Sequence, residues 1–554
     1  MKSLRIAVWV LAASSAGFGQ AVPAVPDAAP PKGSIEGQVF NLGTGAPLKK
    51  ANVRLTGLGV LSMSSKETDE QGRFAFTGLE AGRYQLSAER QGFLRQSYGA
   101  RKYATDGRPI GLAPDQHVED IVFKLSPQSV IVGKVLDEDG DPVANVQVRA
   151  LRLAYRGGKK QWSQVAIGQT SDIGEYRIPG LDPGSYQVAT NPRNQASNMM
   201  QTPSNDPLPD ASEMIYAATY YPSTLDSATA VPVDVPQGQE IRGTDIRLRK
   251  TQVFRVRGNL SNVTDGRASV MVMLTPKEGG QPAISQSPAI APDYRFELRG
   301  ITPGSYVLYA QPGNGIQPSV AYQDVLVSNH VDGVVLTFAP GNDVQGTVKV
   351  EDATAPVNVS NLSVGLRTNT AMPAMPLLGA PRVKVGSDLK FTLRSVAPLH
   401  YTVSVAGAPD NCFVKSIKFG GQDVPEDGID IASGGEMKIT LSATAGEVDA
   451  AVVDKDSVLV AGAIVALIPA DGRAMAGSSI AIQGRVGDEY GAVTFKGLKP
   501  GEYSLIAWED IPLGAFLDPE FRKPFEGRGE SVKVDAGAKQ AIQVTVIPAE
   551  ETDK

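Results

Sequence analysis

The stretch Gly180-Leu-Asp-Pro-Gly-Ser-Tyr186 decides how this chain is divided, because variants of it occur five times. The other copies are Gly78-Leu-Glu-Ala-Gly-Arg-Tyr84, Gly300-Ile-Thr-Pro-Gly-Ser-Tyr306, Ser395-Val-Ala-Pro-Leu-His-Tyr401 and Gly497-Leu-Lys-Pro-Gly-Glu-Tyr503. Their tyrosines lie 102, 120, 95 and 102 residues apart. A tight turn that ends in tyrosine and recurs at domain-sized spacing predicts a tandem array of one fold.

The residues around each copy predict the class of that fold. Apolar and polar residues alternate in short segments, which in the second repeat are 130–135, 144–149, 175–178, 186–189 and 243–248. Turns rich in glycine, proline and aspartate separate these segments, and the chain holds 58 Gly and 39 Pro. A period of two residues with turns every eight to twelve residues is typical of an all-β sandwich.

The repeat spacing predicts five sandwiches with short junctions. We place them at residues 33–126, 127–250, 251–340, 341–445 and 446–548, with a loop insertion over 191–235 in the second. Because each closing strand is followed within a few residues by the next opening strand, we expect a stiff rod. Five domains in line, each with a radius of gyration of about 13 Å, would extend roughly 170 Å.

The first residues predict export. Lys2 and Arg5 precede an apolar run over residues 6–13, so residues 1–19 resemble a signal peptide, and residues 20–32 form a Pro-rich linker. The apolar run is too short for a membrane anchor, and we expect no transmembrane segment in the mature chain. We therefore expect a periplasmic, outer-surface or extracellular protein. The single cysteine, Cys412, excludes an internal disulfide, and we expect it to be buried rather than paired between chains.

Composition and motifs argue against several functions. The net charge of −6 without a basic block makes nucleic acid an improbable partner. The three histidines, His117, His330 and His400, fall in three different repeats, which is unsuited to a zinc site. Asp137-Glu-Asp-Gly-Asp141 lacks the later glutamate of a calcium loop. We expect no catalytic residues, no metal and no cofactor, and hence no enzyme.

Aromatic residues in two settings are the candidates for a role. The five turn tyrosines, Tyr84, Tyr186, Tyr306, Tyr401 and Tyr503, are expected to be structural tyrosine corners. Other aromatics lie in the variable connections after the tyrosine strands, and the candidates for ligand contact are Tyr98, Tyr103, Tyr216, Tyr220, Tyr221, Trp508 and Phe521. Such residues either stack on sugars or fold back and seal interfaces between sandwiches. The pattern alone leaves both interpretations open.

The repeats resemble a known family. Thr68-Asp-Glu-Gln-Gly-Arg-Phe74, Thr170-Ser-Asp-Ile-Gly-Glu-Tyr176 and, in the fifth repeat, Gly491, Phe495 and Pro500-Gly-Glu-Tyr503 are similar to the carboxypeptidase regulatory-like domain. The fourth repeat departs from it at Leu399-His400. The resemblance implies a transthyretin-like (prealbumin-like) β-sandwich that carries no catalytic residues. Related sandwiches include carbohydrate-binding modules, and exported multi-domain bacterial proteins carry this module.

These observations favour one function and leave two others open. The first is a non-catalytic secreted or cell-envelope protein, an extended scaffold or adhesion-type binding module whose partners are envelope proteins. The second is carbohydrate binding, with polysaccharide as the partner of the loop aromatics. The third, which depends on the family name alone, is an accessory subunit of a separate peptidase.

Overall fold

The computed structural model describes residues 32–58, 63–102, 107–156, 158–191, 213–263, 269–277, 285–290, 292–312, 321–339, 341–354, 356–368, 382–425, 427–470 and 482–552. These residues form forty β-strands and two short α-helices, Pro519–Arg522 and Ala549–Thr552, so the all-β prediction is confirmed. Three 3-10 helices are Ser227–Thr229, Ala515–Leu517 and Lys523–Phe525. The predicted signal peptide and nearly all of the linker lie outside the described residues.

The first sandwich lies within residues 33–125. Its strands are β1 (Gly33–Asn41), β2 (Asn52–Leu58), β3 (Met63–Glu67), β4 (Arg73–Leu79), β5 (Gly82–Glu89), β6 (Gln96–Ser97), β7 (Ile110–Leu112) and β8 (His117–Leu125). One sheet has the order β4-β1-β8, and the other has the order β3-β2-β5-β6 with β7 also paired to β5.

The second sandwich follows within residues 129–247. Its strands are β9 (Ser129–Leu136), β10 (Gln147–Arg156), β11 (Lys159–Gln169), β12 (Glu175–Leu181), β13 (Gly184–Asn191), β15 (Val233–Val235), β16 (Glu240–Ile241) and β17 (Ile246–Arg247). Its sheets are β12-β9-β16, with β17 on β9, and β11-β10-β13-β15. The strand β14 (Glu213–Tyr216) belongs to the same stretch of chain but pairs with the third sandwich.

The third and fourth sandwiches cover residues 250–442. The third contains β18 (Lys250–Ser261), β19 (Ser269–Pro276), β20 (Ser285–Ile290), β21 (Arg295–Ile301), β22 (Gly304–Pro312), β23 (Ala321–Val327) and β24 (Val331–Thr337). The fourth contains β25 (Asn342–Glu351), β26 (Ser363–Thr368), β27 (Arg382–Lys384), β28 (Lys390–Val396), β29 (His400–Ala406), β30 (Phe413–Phe419), β31 (Gln422–Asp423), β32 (Ile429–Asp430) and β33 (Gly435–Ser442). The fourth has two sheets, β28-β25-β33-β30-β31 and β27-β26-β29-β32.

The fifth sandwich covers residues 446–547. Its strands are β34 (Gly446–Val453), β35 (Ile464–Pro469), β36 (Gln483–Val486), β37 (Ala492–Leu498), β38 (Gly501–Trp508), β39 (Glu530–Val534) and β40 (Lys539–Ile547). They join in the order β36-β35-β38-β40-β34-β37, with β39 also on β38.

One topological feature is common to all five sandwiches. The opening strand pairs in parallel with a strand near the end of the same sandwich, as in β1 with β8, β9 with β16 and β17, β18 with β24, β25 with β33, and β34 with β40. A parallel pair between first and last strands requires the rest of the sandwich to form the connection. Each sandwich is therefore a closed unit with its own core, and five clusters of buried apolar side chains match them.

A glycine opposite an aromatic residue marks the opening strand. Gly37 lies opposite Phe74 and Gly133 lies opposite Tyr176, while Gly258 and Gly346 face phenylalanines in the same register. A Cβ atom on residue 37 would lie 2.0 Å from the carbonyl oxygen of Ile121 in β8. The closing strand thus approaches so closely that a side chain at this position would collide with its backbone.

The fifth sandwich changes this pair. Ala450 occupies the glycine position and faces Val493, and the parallel ladder beside it runs without the bulge seen at Ile35/Gly37. Phe495 pairs with Val448, which is the register in which Phe76 pairs with Ile35 in the first sandwich. Phe495 therefore corresponds to Phe76, the second aromatic residue of that strand.

The threonine of the family motif has a clear structural role. The hydroxyl of Thr68 donates to the carbonyl of Leu48 at 2.6 Å and accepts from the amide of Ala51 at 2.9 Å. In the second sandwich Thr170 donates to Val143 at 2.7 Å and accepts from Val146. The buried hydroxyl satisfies backbone groups where the chain enters the second strand of the sandwich, so it fixes that turn.

The expectation of a stiff rod with five sandwiches in line was wrong. Arg101 of the first sandwich donates a hydrogen bond of 2.7 Å to the carbonyl of Ala461 in the fifth. Tyr155, near the tip of the β10–β11 hairpin of the second sandwich, packs against Phe521 with ring centroids 5.9 Å apart. The chain therefore folds back, and its last sandwich contacts the first two.

The insertion of the second sandwich also differs from the expected loop. Its strand β14 pairs antiparallel with β18, from Glu213 opposite Val253 to Tyr216 opposite Lys250. Since β18 opens the third sandwich, the insertion adds an edge strand to its neighbour's sheet. A hydrogen-bonded ladder at this junction ties the two sandwiches together.

Candidate functional site

Four of the five turn tyrosines form the same hydrogen bond. Each hydroxyl donates to the carbonyl four residues earlier: Tyr84 to Glu80 at 2.7 Å, Tyr186 to Asp182 at 2.6 Å, Tyr306 to Thr302 at 2.8 Å and Tyr503 to Lys499 at 2.7 Å. All four rings are buried. Burial raises the pKa of the Tyr84, Tyr186 and Tyr306 hydroxyls, because the phenolate would lose its hydration. These side chains close the turn and are not available for a ligand.

Tyr401 differs from the other four. It is buried, but among the described residues its hydroxyl makes no such bond to a carbonyl. The turn before it reads Pro398-Leu399-His400, and the amide of Leu399 donates to Ala397 instead. Burial, together with the nearby Tyr322 of the third sandwich, raises the pKa of Tyr401 to about 12. The sequence departure in the fourth repeat therefore corresponds to a different turn.

The connection of the first sandwich reaches the fifth through an arginine. The guanidinium of Arg101 donates to the carbonyls of Ala461, Gly462 and Glu509, at 2.7 Å for the first and 3.1 Å for the second. Three carbonyls of the fifth sandwich thus surround one planar cation, an arrangement that suits guanidinium geometry. We call this contact, with the packing of Tyr155 on Phe521, the closure contact.

The predicted aromatics of that connection lie beside Arg101. Tyr98 is half-buried against the core of the first sandwich, and the guanidinium of Arg108 lies 5.5 Å from its ring centroid. Tyr103 lies outside the described residues. A ring already covered by a guanidinium on one face and by the core on the other has little surface left for stacking on a sugar.

In the second sandwich, Tyr216 belongs to an ionic cluster. Its hydroxyl donates to the Glu138 carboxylate at 2.7 Å, the Lys250 ammonium lies 5.2 Å from its ring centroid, and Lys250 also forms an ion pair with Glu138. These hydrogen bonds, Lys250 first, lower the pKa of Glu138 to about 2. Glu138 belongs to the acidic turn Asp137-Glu-Asp-Gly-Asp141, which lacks the later glutamate of a calcium loop. It joins that turn to the added strand β14 instead.

The other two tyrosines of that connection are held within the second sandwich. Tyr221 packs against its core, and its amide donates to the carbonyl of Val188 at 2.8 Å. Tyr220 forms bridges with Ala189 and Thr224, and burial raises the pKa of its hydroxyl. Both are half-buried and serve to fold the connection back onto β13.

In the fifth sandwich, the predicted stacking residue Trp508 is fully buried. It lies in a second apolar cluster with Phe525, 5.9 Å between ring centroids, and Phe521, 6.1 Å away. The indole cannot stack on a sugar, because neighbouring side chains cover both of its faces. The expectation of a ligand contact at Trp508 was wrong, and the half-buried Phe521 is engaged by Tyr155.

The aromatic connections therefore serve packing. The segment Ala515–Phe525 covers Trp508 on the fifth sandwich and also meets the second sandwich, where Leu517 lies against Gly158. Sequence reasoning did not assign Arg101 or Tyr155 to this contact. A single sequence contains no signal that pairs residues more than 350 positions apart.

The described residues contain no group of three or more His, Cys, Asp or Glu side chains that could hold a metal. His117 bonds to Ser34 at 2.8 Å, and His400 lies between Asp427 and Asp430 at 2.8 Å from each. Cys412 is buried directly before β30, and burial raises the pKa of its thiol. The two histidines are therefore engaged in local hydrogen bonds, and Cys412 is covered by its neighbours.

Comparison with known proteins addresses the first sandwich directly. Residues 34–125 match the carboxypeptidase regulatory-like domain. The match confirms the resemblance for this stretch, and it includes the Thr68 turn and the Tyr84 corner. The matched stretch contains Arg101, which forms the first-sandwich side of the closure contact.

The solved structures that match parts of this chain share little sequence with it. A streptococcal ancillary pilin is 15% identical, covers 56% of this chain and 99% of its own, and gives a TM-score of 0.20. The major pilin RrgB of Streptococcus pneumoniae is 9% identical, covers 93% of this chain and 99% of its own, and gives a TM-score of 0.17. The Bacillus anthracis TIE protein is 11% identical, covers 76% of this chain and 74% of its own, and gives a TM-score of 0.15. Scores this low support no statement about function.

Two further searches, for curated relatives of the chain and for membrane-spanning helices in its described part, found nothing. No curated protein matches the chain. None of the helices among the described residues is long and apolar enough to cross a membrane.

Proposed function

We propose that this protein is an exported, non-catalytic scaffold of the cell envelope or extracellular space, with an adhesion-type binding role. The closure contact carries the proposal, since Arg101 donates to the carbonyls of Ala461, Gly462 and Glu509 from a different sandwich. These hydrogen bonds join the first sandwich to the fifth, so they support the scaffold part of the proposal. The connections that a binding module would leave exposed are used here to hold sandwiches together.

This proposal modifies the sequence-based hypothesis of an extended scaffold. A scaffold closed by contacts between its ends presents surfaces of several sandwiches in a fixed arrangement. Charge-assisted hydrogen bonds that a partly buried arginine donates stabilise such an arrangement more than an exposed ion pair does. We expect partners to be envelope proteins that recognise this arrangement.

The carbohydrate hypothesis loses its original support. Trp508 is fully buried, and Tyr220 and Tyr221 are folded onto the second sandwich. The peptidase-accessory hypothesis still depends on the family name alone. Neither is favoured by a specific contact in the described residues.

Small-angle scattering of the secreted chain tests the proposal. We expect the wild type to be clearly shorter than the roughly 170 Å of five domains in line. The double variant Arg101→Ala with Tyr155→Ala should increase both the radius of gyration and the maximum dimension. Arg108→Ala is the matched control, since Arg108 lies in the same connection but contacts Tyr98.

Two results would contradict the proposal. One is a wild-type particle as long as an in-line array, and the other is a double variant with unchanged dimensions. Export is tested separately by cell fractionation, with a chain that lacks residues 1–19 as the control. Retention of the full-length protein in the cytoplasm would exclude an envelope role.

A further inference from the structure

A cleft lies where the fourth sandwich meets the fifth. Its volume is about 660 Å³, and it is lined by the 405–414 segment of the fourth sandwich and by β36, β37 and the Tyr503 turn of the fifth. This volume falls within the usual range of small-ligand sites. The cleft contains none of the aromatic residues that we first considered for ligand binding.

Backbone hydrogen bonds fix the cleft's shape. The amide of Gly497 donates to the carbonyl of Asp410 at 3.1 Å, and the amide of Ala445 donates to Asn411 at 3.0 Å. A third bond joins Gly537 to Thr444, also at 3.0 Å. Because the walls from both sandwiches are joined directly, a ligand would enter a preformed site and would not have to order it.

Residues of the edge strand β36 point into this cleft. Gln483 and Arg485 lie opposite Leu467 and Val465, whose side chains are buried in the core. Cross-strand partners project from the same face, so both polar side chains are directed toward the space between the sheets. The guanidinium of Arg485 lies 5.8 Å from the ring centroid of Phe495.

The cleft is basic, although the whole chain carries a net charge of −6. Arg485, Lys496 and Lys499 line it together with a single carboxylate, that of Asp410. Asp410 pairs with Lys496 at 2.9 Å. In the part of the chain that the structure describes, Arg485 and Lys499 have no ion-pair partner, so two positive charges remain uncompensated at one site.

We infer that this cleft binds a small anionic ligand, held through a carboxylate or phosphate group by Arg485 and Lys499. A guanidinium binds either anion in a bidentate manner, and the lysine adds a second charge. Gln483 supplies a further polar contact, and Val405 and Ala408 line the apolar side. The Thr494 hydroxyl is already used, since it donates to the Asp449 carboxylate at 2.7 Å.

An alternative role for Arg485 is protection of the sheet edge. A charge that points inward from an edge strand discourages pairing with another chain. That role requires no second cation and no cleft, and it predicts no ligand. Binding measurements therefore separate the two interpretations.

Isothermal titration of the full mature chain tests the inference with three probes that share one ring. Glucuronate carries a carboxylate, glucose 6-phosphate carries a phosphate, and glucose is uncharged. We expect saturable binding of one or both charged probes and none of glucose. Binding of glucuronate alone identifies a carboxylate ligand, and binding of glucose 6-phosphate alone identifies a phosphate ligand.

The double variant Arg485→Gln with Lys499→Gln should weaken binding at least about tenfold, the equivalent of 1.4 kcal/mol. Lys455→Gln, which removes an exposed cation elsewhere on the fifth sandwich, should leave binding unchanged. Affinity should also fall as NaCl rises from about 50 to about 500 mM, because salt screens the attraction.

Three outcomes would overturn the inference. They are the absence of binding by either charged probe up to about 20 mM, equal binding of glucose, and undiminished binding by the double variant. Circular dichroism of the double variant must match the wild type for its result to count as a loss of the site. The inference is independent of the closure contact, so scattering and titration can fail separately.

Discussion

At the scale of single residues, Gly37 in the opening strand shows that a close approach of two backbones excludes a side chain. A Cβ atom on residue 37 would lie 2.0 Å from the carbonyl oxygen of Ile121, and one on residue 258 would lie equally close to Val334. In both sandwiches the parallel ladder has a bulge beside the glycine. In the fifth sandwich the ladder has no bulge and alanine takes the position. The fourth sandwich also has no bulge but keeps Gly346, because a Cβ atom there would lie 2.0 Å from the Phe391 ring.

Gly37→Ala should therefore destabilise the first sandwich by about 3 kcal/mol or more, because a methyl group would force β1 away from β8. The measure is hydrogen exchange, followed by mass spectrometry, of peptides from β1. Ala450→Gly is the matched control and should cost only about 0.5–1 kcal/mol from added chain entropy. Equal protection of β1 in Gly37→Ala and wild type would show that the closing strand moves aside at little cost.

His400 provides a prediction about pH. The carbonyl of Asp427 and then the carboxylate of Asp430 raise its pKa above the ordinary value of about 6.5. Since the folded-state pKa is higher than the unfolded one, the stabilisation is complete below about pH 6.5 and disappears as the pH rises through the raised value. The ring is partly exposed, so the effect is small.

The histidine ring-proton NMR signal that is present in the wild type and absent from the His400→Gln variant belongs to His400. We expect it to titrate above pH 6.5, and we expect wild type to lose its stability advantage over His400→Gln in that same interval. A pKa at or below 6.5 would mean that the two aspartate contacts do not favour the imidazolium.

At the scale of elements, the variable connections act as packing units. The segment Ala515–Phe525 follows β38 and places Phe521 and Phe525 over Trp508 at its end. The tip of the β10–β11 hairpin then packs on the same segment through Tyr155. A connection that looks like a binding loop in the sequence is therefore an additional layer of core.

Trp508→Ala should destabilise the fifth sandwich by about 3–5 kcal/mol, because it leaves a large cavity in this cluster. Urea denaturation followed by circular dichroism, with hydrogen exchange of β38 to assign the transition, measures the loss. Leu513→Ala is the control and should have almost no effect, since Leu513 is 84% exposed. A neutral Trp508→Ala variant would return Trp508 to the list of candidate ligand contacts.

At the scale of the whole molecule, the closure contact determines shape. It joins residues of the first and second sandwiches to the fifth, so the third and fourth sandwiches form the connection between its two halves. An array with short junctions can thus bend back on itself if the end sandwiches have complementary surfaces. The added strand β14 and the hydrogen bonds between the fourth and fifth sandwiches limit motion at two of the junctions.

A crosslink tests this shape. A Cβ atom on residue 158 would lie 3.1 Å from the Cβ of Leu517. This is slightly shorter than the Cβ–Cβ distance of about 3.5–4.5 Å in a disulfide, so a small outward shift of the hairpin tip allows the bond. Gly158→Cys with Leu517→Cys, in a Cys412→Ala background, should form an intramolecular disulfide that changes mobility on a non-reducing gel. Residue 158 has a φ of +74°, so cysteine is strained there and crosslinking, not stability, is the readout.

The control pair is Gly140→Cys with Leu517→Cys. Gly140 lies in an open turn of the same sandwich with no atom within 4 Å of its Cβ position. That pair should stay reduced under the same oxidation. Crosslinking of both pairs, or of neither, would be inconsistent with the closure contact.

The sequence by itself determined the all-β class, the repeat of five sandwiches and four of the five tyrosine corners. These features depend on local signals, namely alternation with period two, glycine at positive φ and proline in turns, which act over fewer than ten residues. The same locality explains why the departure at Leu399-His400 in the sequence coincides with a different turn before Tyr401.

Only the tertiary structure decided where the sandwiches lie and what their connections do. Whether Trp508 is buried or exposed depends on a segment that folds over it, and whether Arg101 faces solvent depends on a sandwich 360 residues further along the chain. The basic cleft likewise exists only because a turn of the fourth sandwich meets an edge of the fifth. Contacts of this kind result from matching surfaces, and no periodicity within one repeat encodes which surfaces meet.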